Sequence, residues 1–396
     1  MSSSSAKLSQ VDWDFANLDN EGVYRFHWYP ATFLAAIPGS LIPLLSGEGD
    51  MVLDPFCGVG TTGVEAIRLG RRFVGIDSNP VAIMISRAKL SLPDTRKLRA
   101  TFGSRSLGSP TDDTKAEQLR HPNETELLAW YHPETYMELC SVLCSIRACR
   151  DRRLRTAAQA VFSSVLKTTS SQSRHWGWVC DNVKPKRGEI RYKNARAMFV
   201  GGIDAFAKGL DYVVQGMAAS GIRWSRKDLR AGCQIYCDDT VKRMSEMETA
   251  SADLIVTSPP YYGVADYVKS QRLSFLWFDE RILGVEGCSW ADFDRLRHRE
   301  VGCRSFRHRH TSLEEYLGYM RKFLDVARQV LRRRGLLCLV LGQSKAREQT
   351  LAEIHRHAIA TGFDLMYRKS RGIRETRRRL MAKVPNEEVL VYVAGS

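Results

Sequence analysis

The sequence lacks the features of several common protein classes. None of its 10 cysteines lies in a Cys-x-x-Cys pair or beside a histidine at zinc-site spacing. No apolar run approaches the ~18 residues of a membrane span, and residues 1–17 have no apolar core of a secretory signal. These absences argue against a disulfide-rich, metal-binding, membrane-spanning or secreted protein. We therefore expect free thiols in a reducing compartment and predict no metal site.

The charge balance is strongly positive. The chain has 396 residues, and its 59 Lys and Arg against 44 Asp and Glu give a formal net charge of +15. Such an excess favours a polyanionic partner or an anionic surface, although many basic proteins bind no nucleic acid. The length allows one large domain or two.

Residues 50–66 predict a short strand, a glycine turn and the start of a helix. Gly58 and Gly60 let the backbone turn tightly against a ligand, and the helix N-terminus that follows presents free N–H groups. A second strand, residues 73–77, ends in Asp77, whose carboxylate can accept both hydroxyls of a ribose. Together these features indicate a nucleotide-binding α/β unit.

A second motif follows the apolar run 253–256, which is typical of a buried parallel strand. It consists of Ser258, Pro259, Pro260 and Tyr261. The prolines stiffen the loop and leave carbonyls free to face a ligand, while the tyrosine offers a flat apolar ring. The motif could therefore bind a planar ring that carries an amino group. The alternative is a proline-rich loop that merely leaves the sheet.

These residues resemble a known family. Residues 54–66 and 74–80 are similar to the S-adenosylmethionine-binding motifs of class I methyltransferases, and residues 258–261 resemble the catalytic motif of the DNA amino-methyltransferases. Residues 27–33 resemble a further cofactor-contacting segment of that family. In the family, the serine form is associated mainly with methylation of cytosine N4, and Asp or Asn in its place with adenine N6.

The resemblance implies an α/β fold of the class I methyltransferase (Rossmann-like) type, with a mostly parallel seven-stranded sheet and a largely helical insertion. The cofactor motif precedes the catalytic motif, with a long insertion between them. We divide the chain into an N-terminal arm (1–25), a cofactor-binding part (26–95), a helical insertion that is a candidate for target recognition (96–225), a catalytic part (226–280), a basic loop that is a candidate DNA contact (281–311) and the remainder of the sheet (312–396).

The resemblance also assigns candidate site residues. The predicted catalytic residues are Ser258, Pro259, Pro260 and Tyr261. The predicted contacts to S-adenosylmethionine are Tyr29, Pro30, Asp54, Phe56, Cys57, Gly58, Gly60, Thr61, Thr62, Asp77, Ser78, Asp239 and Ser258. An acid after the third strand contacts the cofactor's adenine in this family, and Asp238 is the alternative to Asp239.

The chemistry of an exocyclic amine explains the catalytic motif. The nitrogen is a poor nucleophile because its lone pair is delocalised into the ring. The Ser258 hydroxyl oxygen and the Pro259 carbonyl could accept its hydrogens and free that lone pair, with Tyr261 stacked on the base. The chain contains no Pro-Cys dipeptide, which argues against the cysteine-dependent route to C5 of cytosine. A base in a duplex would have to leave the stack to reach this site.

Two regions are candidates for contact with DNA phosphates and bases. The insertion contributes Arg174, His175, Trp176 and Lys184, and the region after the catalytic motif contributes Lys269, Arg272, Arg304, Arg307 and Arg309. The alternatives are a solvated loop with its tryptophans in the core and an exposed charged loop. A second basic stretch extends from Arg371 to Lys383.

The sequence therefore predicts a site-specific methyltransferase that acts on a flipped base of double-stranded DNA, with cytosine N4 favoured. The alternatives are adenine N6, RNA, and a nucleic-acid-binding protein on an inactive methyltransferase scaffold. We expect a cytoplasmic enzyme, associated with the nucleoid in a bacterium. A monomer and a homodimer both remain open, as do a cognate restriction enzyme and a solitary role.

Overall fold

The computed structural model describes residues 2–103, 121–172, 183–343, 348–373 and 385–395. In these ranges seven strands form one sheet in the order β3-β2-β1-β4-β5-β7-β6. The strands are β1 (Met51–Asp54), β2 (Arg72–Asp77), β3 (Cys233–Cys237), β4 (Ala252–Thr257), β5 (Leu331–Gln343), β6 (Phe363–Gly372) and β7 (Asn386–Ala394). Only β7 runs antiparallel to its neighbours, β5 and β6. The predicted seven-stranded, mostly parallel sheet is confirmed.

The helices lie between and around these strands. They are α1 (Ser2–Ser9), α2 (Ala36–Leu45), α3 (Thr61–Arg68), α4 (Pro80–Leu90), α5 (Thr95–Phe102), α6 (Glu124–Leu127), α7 (Pro133–Ala148), α8 (Arg152–Thr169), α9 (Ala195–Ala219), α10 (Arg226–Gly232), α11 (Thr240–Ser245), α12 (Arg272–Trp277), α13 (Glu280–Leu283), α14 (Phe293–Arg299), α15 (Ser312–Val330) and α16 (Glu348–Ala360). None of the described helices combines the length and apolar composition that a membrane crossing requires.

The sheet is apolar on both faces, as expected for parallel strands covered by helices. Successive side chains of a strand point to opposite faces, so Val52 joins one buried cluster and Leu53 another. Helices α2, α3 and α4 contact the strands of the first face, with α8 packed on α4 and α9 packed on α8, and α15 and α16 contact the strands of the second face. The insertion between α4 and β3 is largely helical where it is described, because its apolar residues recur at helical spacing.

The N-terminal segment differs from the predicted arm over residues 1–25. Helix α1 packs against β6, and Leu8 and Trp13 are buried. The Trp13 indole N–H donates to the Leu8 carbonyl at 3.1 Å and to the Tyr367 hydroxyl at 2.9 Å. The free energy gained by burying the large apolar ring of a tryptophan outweighs the conformational freedom that a polar segment keeps when it stays unpacked. This segment is part of the folded core.

Two other predicted segments also differ from the structure. The polar composition of residues 96–125 favours a loop or a mobile segment, but α5 occupies 95–102 and buries Leu98 and Phe102. The basic loop 281–311 contains α14, which buries Phe293 and Leu296 beneath its arginines. In both segments a few apolar residues at helical spacing outweigh a polar composition.

Candidate active site

The glycine turn after β1 has the conformation that its sequence requires. Gly58 and Gly60 have φ angles of +48° and +78°, in the left-handed region that glycine adopts without strain. A Cβ atom at Gly60 would lie 2.8 Å from the Ser86 hydroxyl oxygen. Ser86 in turn donates to the Gly58 carbonyl at 2.7 Å. The turn therefore packs tightly on α4 and begins α3 directly beneath the cavity.

Asp77 fixes this turn from the neighbouring strand. Its two carboxylate oxygens accept from the Gly58 N–H at 2.9 Å and from the Asn79 N–H at 2.8 Å. Burial raises the pKa of Asp77 to about 6, although the two backbone hydrogen bonds act in the opposite direction. Asp77 also lines the cavity, so its remaining lone pairs could accept from a hydroxyl group bound there.

Asp54 connects the two sequence motifs. The Thr257 hydroxyl at the end of β4 donates to the Asp54 carboxylate at the end of β1, at 2.6 Å. The two strands are adjacent and parallel, with Leu53 opposite Ile255. Burial raises the pKa of Asp54 to about 6, while the hydrogen bond from Thr257 lowers it. The glycine turn and the Ser258 loop therefore leave the same edge of the sheet side by side.

A cavity of about 660 Å³ lies at this edge. Thirteen of the predicted site residues line it, and they are Tyr29, Pro30, Asp54, Phe56, Cys57, Gly58, Thr61, Thr62, Asp77, Ser78, Asp239, Ser258 and Pro260. Gly60, Pro259 and Tyr261 do not line it. The cavity thus brings residues of both motifs into one volume.

The acids after β3 lie at one end of the cavity. Asp239 caps α11 by accepting from the Lys242 N–H at 2.9 Å, and its other oxygen accepts from the Tyr319 hydroxyl at 2.9 Å. Asp238 lines the same end and lies near the Lys242 ammonium, at 3.3 Å. Tyr319 belongs to α15, and sequence reasoning did not identify it because only the packing of that helix brings it here.

Tyr261 lies behind the cavity. It is 6% exposed and packs with Val264, Ala265 and Ile373. The Ser258 hydroxyl donates to the Tyr261 hydroxyl oxygen at 3.0 Å, and Tyr261 donates to the Glu387 carboxylate at 3.0 Å. The expected stacking of Tyr261 on a base stays a prediction.

Two other aromatic residues line the cavity. The rings of Tyr29 and Tyr267 are stacked, with centroids 5.9 Å apart and an interplanar angle of 28°. The Tyr29 hydroxyl accepts from the Asn79 side chain at 3.2 Å. The sequence of residues 266–278 favours a helix beside the catalytic loop, but the α-helix begins only at Arg272, so Tyr267 precedes it.

Glu300 is a buried acid that sequence reasoning missed. It lines the cavity and accepts from the Val268 N–H. Burial raises its pKa to about 8. Glu300, Asp266 and Cys303 bring their ligand-type atoms within 4.8 Å of one another, but Asp266 already accepts from the Ser305 N–H at 2.8 Å. Internal hydrogen bonds therefore occupy both carboxylates.

The first residue of α3 carries a polar atom without a partner. Among the described residues nothing forms a hydrogen bond with the Thr61 hydroxyl, which is buried and belongs to the cavity lining. It lies at the helix N-terminus, where free N–H groups favour an anion. A ligand with an anionic group here and hydroxyl and amino groups near Asp77 and Asp239 would satisfy these positions.

The predicted DNA contacts have varied environments. Lys184 pairs with Glu126 at 2.7 Å, and Arg272 lies over the Phe293 ring at 5.5 Å. Lys269 and Arg304 are half-buried, whereas Arg307 and Arg309 are exposed. Arg174, His175 and Trp176 lie outside the described residues, as do residues 374–383 of the second basic stretch. Among the described residues of this set, the exposed cations are Arg307, Arg309 and Lys184, and Lys184 is held in an ion pair.

A second cavity of about 640 Å³ lies at the free edge of β3. Its arginines are Arg87, Arg152, Arg153, Arg155, Arg230 and Arg281. Arg87 and Arg155 are held by the carbonyls of Ile235 and Cys149, at 3.1 and 2.8 Å. The segment that follows Arg281, residues 285–288, lines the first cavity. The arginine-lined cavity therefore adjoins the candidate active site.

Comparison with known proteins agrees with this geometry. Residues 4–87 match the family model of N6/N4 methyltransferases, described as DNA methylase. Type II methyltransferase M.MvaI of Kocuria varians is 25% identical over 274 residues, which are 66% of this chain and 59% of that protein. Type II methyltransferase M.BglI of Bacillus subtilis is 35% identical over 125 residues, which are 28% of this chain and 34% of that protein. The chain thus spans about six tenths or less of the length of these relatives.

A solved rRNA methyltransferase from Streptomyces viridochromogenes aligns with 97% of this chain and 94% of its own, at 12% identity and a TM-score of 0.39. So low a score supports no inference about function.

The fold and the cavity at its carboxyl edge are consistent with the class I methyltransferase fold, for which S-adenosylmethionine is the implied cofactor. Within that class, the match of residues 4–87 to the family model and the similarity to the curated Type II methyltransferases support an amino-methyltransferase of the N4-cytosine/N6-adenine family.

Proposed function

We propose that this protein transfers a methyl group from S-adenosylmethionine to the exocyclic amine of a flipped base in double-stranded DNA, with cytosine N4 as the favoured position. The observation that carries the proposal is the single cavity lined by both Asp77 and Ser258. When the methyl donor and the acceptor base are held in one cavity, methyl transfer has the rate advantage of an intramolecular reaction.

The residues of the cavity fit the cofactor. When bound, S-adenosylmethionine supplies an electrophilic methyl group on its sulfonium. Asp77 would accept the ribose hydroxyls, and Asp239 or Asp238 the adenine amine. The Thr61 hydroxyl and the N-terminal amides of α3 would hold the carboxylate. Each assignment pairs a donor with an acceptor that the cavity exposes.

The Ser258 hydroxyl would activate the amine. Its hydrogen is donated to Tyr261, so its lone pairs are available to accept a hydrogen from the target nitrogen. Accepting that hydrogen draws the nitrogen toward sp³ geometry and frees its lone pair for attack. The Tyr267 and Tyr29 rings provide apolar surface on which a planar base could stack.

The preference for cytosine rests on the serine of the motif, as the family resemblance implies. The preference for DNA is supported by the relatives, which are named as Type II methyltransferases, by the family description and by the net charge of +15. Adenine N6 is the second candidate, because the same acceptors would serve its amine.

The test is methyl transfer from labelled S-adenosylmethionine to duplex DNA, followed by nucleoside analysis. We expect labelled N4-methylcytosine with the native protein and none with Ser258→Ala. Labelled N6-methyladenine alone would defeat the cytosine assignment, and label in RNA but not in DNA would defeat the DNA assignment.

A further inference from the structure

Buried hydrogen bonds continue from Ser258 away from the cavity. Ser258 donates to Tyr261 at 3.0 Å, and Tyr261 donates to the Glu387 carboxylate at 3.0 Å. Glu387 lies on β7, 126 residues further along the chain. Tyr261 and Glu387 are 6% and 7% exposed, so water has little access to either group.

The series of hydrogen bonds from Ser258 through Tyr261 to Glu387 ends at an ion pair. Glu387 pairs with Arg371, which is 4% exposed and lies directly opposite on the neighbouring strand β6. Side chains opposite each other on an antiparallel pair share one face of the sheet. The Arg371 guanidinium also donates to the Trp13 carbonyl at 2.7 Å. The buried N-terminal segment therefore fixes Arg371, which in turn fixes Glu387.

A buried ion pair without a role is costly, because two apolar residues of similar volume would often be at least as stable. Here the pair ends a hydrogen-bond series that begins at the candidate catalytic hydroxyl. The Glu387 carboxylate also determines which group donates in each of these hydrogen bonds, since a carboxylate can only accept. Tyr261 must then donate to Glu387 and accept from Ser258.

We propose that Glu387, positioned by Arg371, orients the Ser258 hydroxyl through Tyr261 and receives the proton released by methyl transfer. This inference rests on the proposed function. Glu387 and Arg371 touch no substrate atom and are positioning residues, whereas Ser258 contacts the amine.

The proton transfer balances. The bond from nitrogen to the methyl carbon forms as the carbon–sulfur bond breaks, with the electron pair left on sulfur. The nitrogen now carries a positive charge and one proton too many. Ser258 takes that proton and passes its own to Tyr261, and Tyr261 passes its own to Glu387. Glu387 ends as a neutral carboxylic acid, and the methylated amine is neutral.

The chain offers a matched control. Glu388 is the next residue of β7, is 3% exposed and pairs with Arg368 at 2.9 Å. It faces the other side of the sheet, because neighbouring residues of a strand alternate. Glu388→Gln therefore removes a buried carboxylate of the same strand without changing the Ser258 series.

The experiment measures kcat, KM for duplex DNA and the pH profile of kcat in the full-length protein. For Tyr261→Phe and Glu387→Gln we expect kcat to fall roughly 10²-fold, the lower range for lost acid–base catalysis, with KM and cofactor affinity nearly unchanged. Glu388→Gln should retain kcat. The shape of the pH profile of kcat should differ between Glu387→Gln and the native protein and should be unchanged in Glu388→Gln.

Tyr261→Phe keeps the ion pair and should fold as the native protein does. If Glu387→Gln fails to fold, Arg371→Gln combined with Glu387→Gln removes the unpaired charge and should show the same loss of kcat. Native kcat in Tyr261→Phe, or an equal loss in Glu388→Gln, would overturn the inference. A native protein without methyl transfer to DNA would instead overturn the proposed function and this inference with it.

Discussion

The carboxylate of Asp77 combines a structural role with a position in the lining of the candidate active site. It accepts two backbone N–H groups, from Gly58 and Asn79, and lines the cavity. Because burial raises its pKa to about 6, its charge changes within an accessible pH range. A carboxylate accepts from a ribose hydroxyl, whereas the protonated group loses much of that capacity.

We therefore predict that cofactor affinity depends on pH. The affinity should be highest above pH 6 and should fall as the pH decreases through about 6, since Asp77 and Asp54 gain protons there. The same raised pKa destabilises the ligand-free fold above pH 6 and relieves that cost as the pH falls. Calorimetric titration of S-adenosylmethionine between pH 5 and 7.5 measures the effect.

Asp77→Asn should lower the affinity at pH 7.5 by about 1.5–3 kcal/mol, the value of a hydrogen bond to a charged group, and should weaken its pH dependence. A dissociation constant that Asp77→Asn leaves unchanged would remove this residue from the site.

Sequence reasoning identified the residues at strand ends but not those brought in by packing. Asp54, Gly58, Asp77 and Ser258 line one cavity as expected, because parallel strands end at one edge of a sheet. Tyr319 and Glu300 were missed, because their positions depend on the placement of α15 and of the segment after α14. Spacing along the chain does not encode those contacts.

Among the elements, the turn from β1 to α3 is the most constrained. Gly60 has a left-handed backbone, and a side chain there would meet Ser86. Gly49 also has a positive φ, of +81°, but a Cβ there would meet nothing within 4 Å. A comparison of substitutions at Gly49 and Gly60 therefore distinguishes the cost of a left-handed backbone from the cost of steric contact.

We predict that Gly49→Ala costs about 1–2 kcal/mol of unfolding free energy from the left-handed backbone alone. Gly60→Ala should cost a further ~1–3 kcal/mol from overpacking and should also weaken cofactor binding, because the turn shifts. Urea unfolding and calorimetric titration of both variants measure these quantities. Equal losses of stability would show that Ser86 does not restrict the turn.

The strands and most helices follow from periodicity, whereas segments defined by a few apolar residues do not. Helix α9 spans Ala195–Ala219, a stretch whose sequence favours a helix. The N-terminal segment and α14 were expected as an arm and a loop, since polar residues dominate both. Trp13 and Phe293 hold these two segments in the fold by burying their large rings. The average composition of a segment does not reveal the effect of a single residue of this kind.

At the scale of the whole molecule, two basic surfaces flank the candidate active site. One is the 304–309 segment, and the other is the arginine-lined cavity at the edge of β3. The sequence predicted the basic 304–309 segment because its arginines lie close together along the chain. It could not predict the second, whose arginines come from α4, α8, α10 and α13.

We predict that the arginine-lined cavity contributes to DNA binding. Replacing Arg152, Arg230 and Arg281 with alanine should weaken affinity and lower the slope of log K against log salt by up to about 0.9 for each lost phosphate contact. Fluorescence anisotropy with duplex DNA at several salt concentrations measures this slope. Arg333→Ala with Arg334→Ala, on β5 and outside the lining of both cavities, should leave it unchanged, and an unchanged slope in the triple variant would place DNA elsewhere.

The most direct measurement is a crystal structure of the protein with S-adenosylhomocysteine and a target duplex. We predict the adenosyl group between Asp77 and Asp239, and an unstacked base in the same cavity with its exocyclic amine within hydrogen-bond distance of the Ser258 hydroxyl. A base bound outside this cavity, or an adenosyl group away from Asp77, would contradict the account.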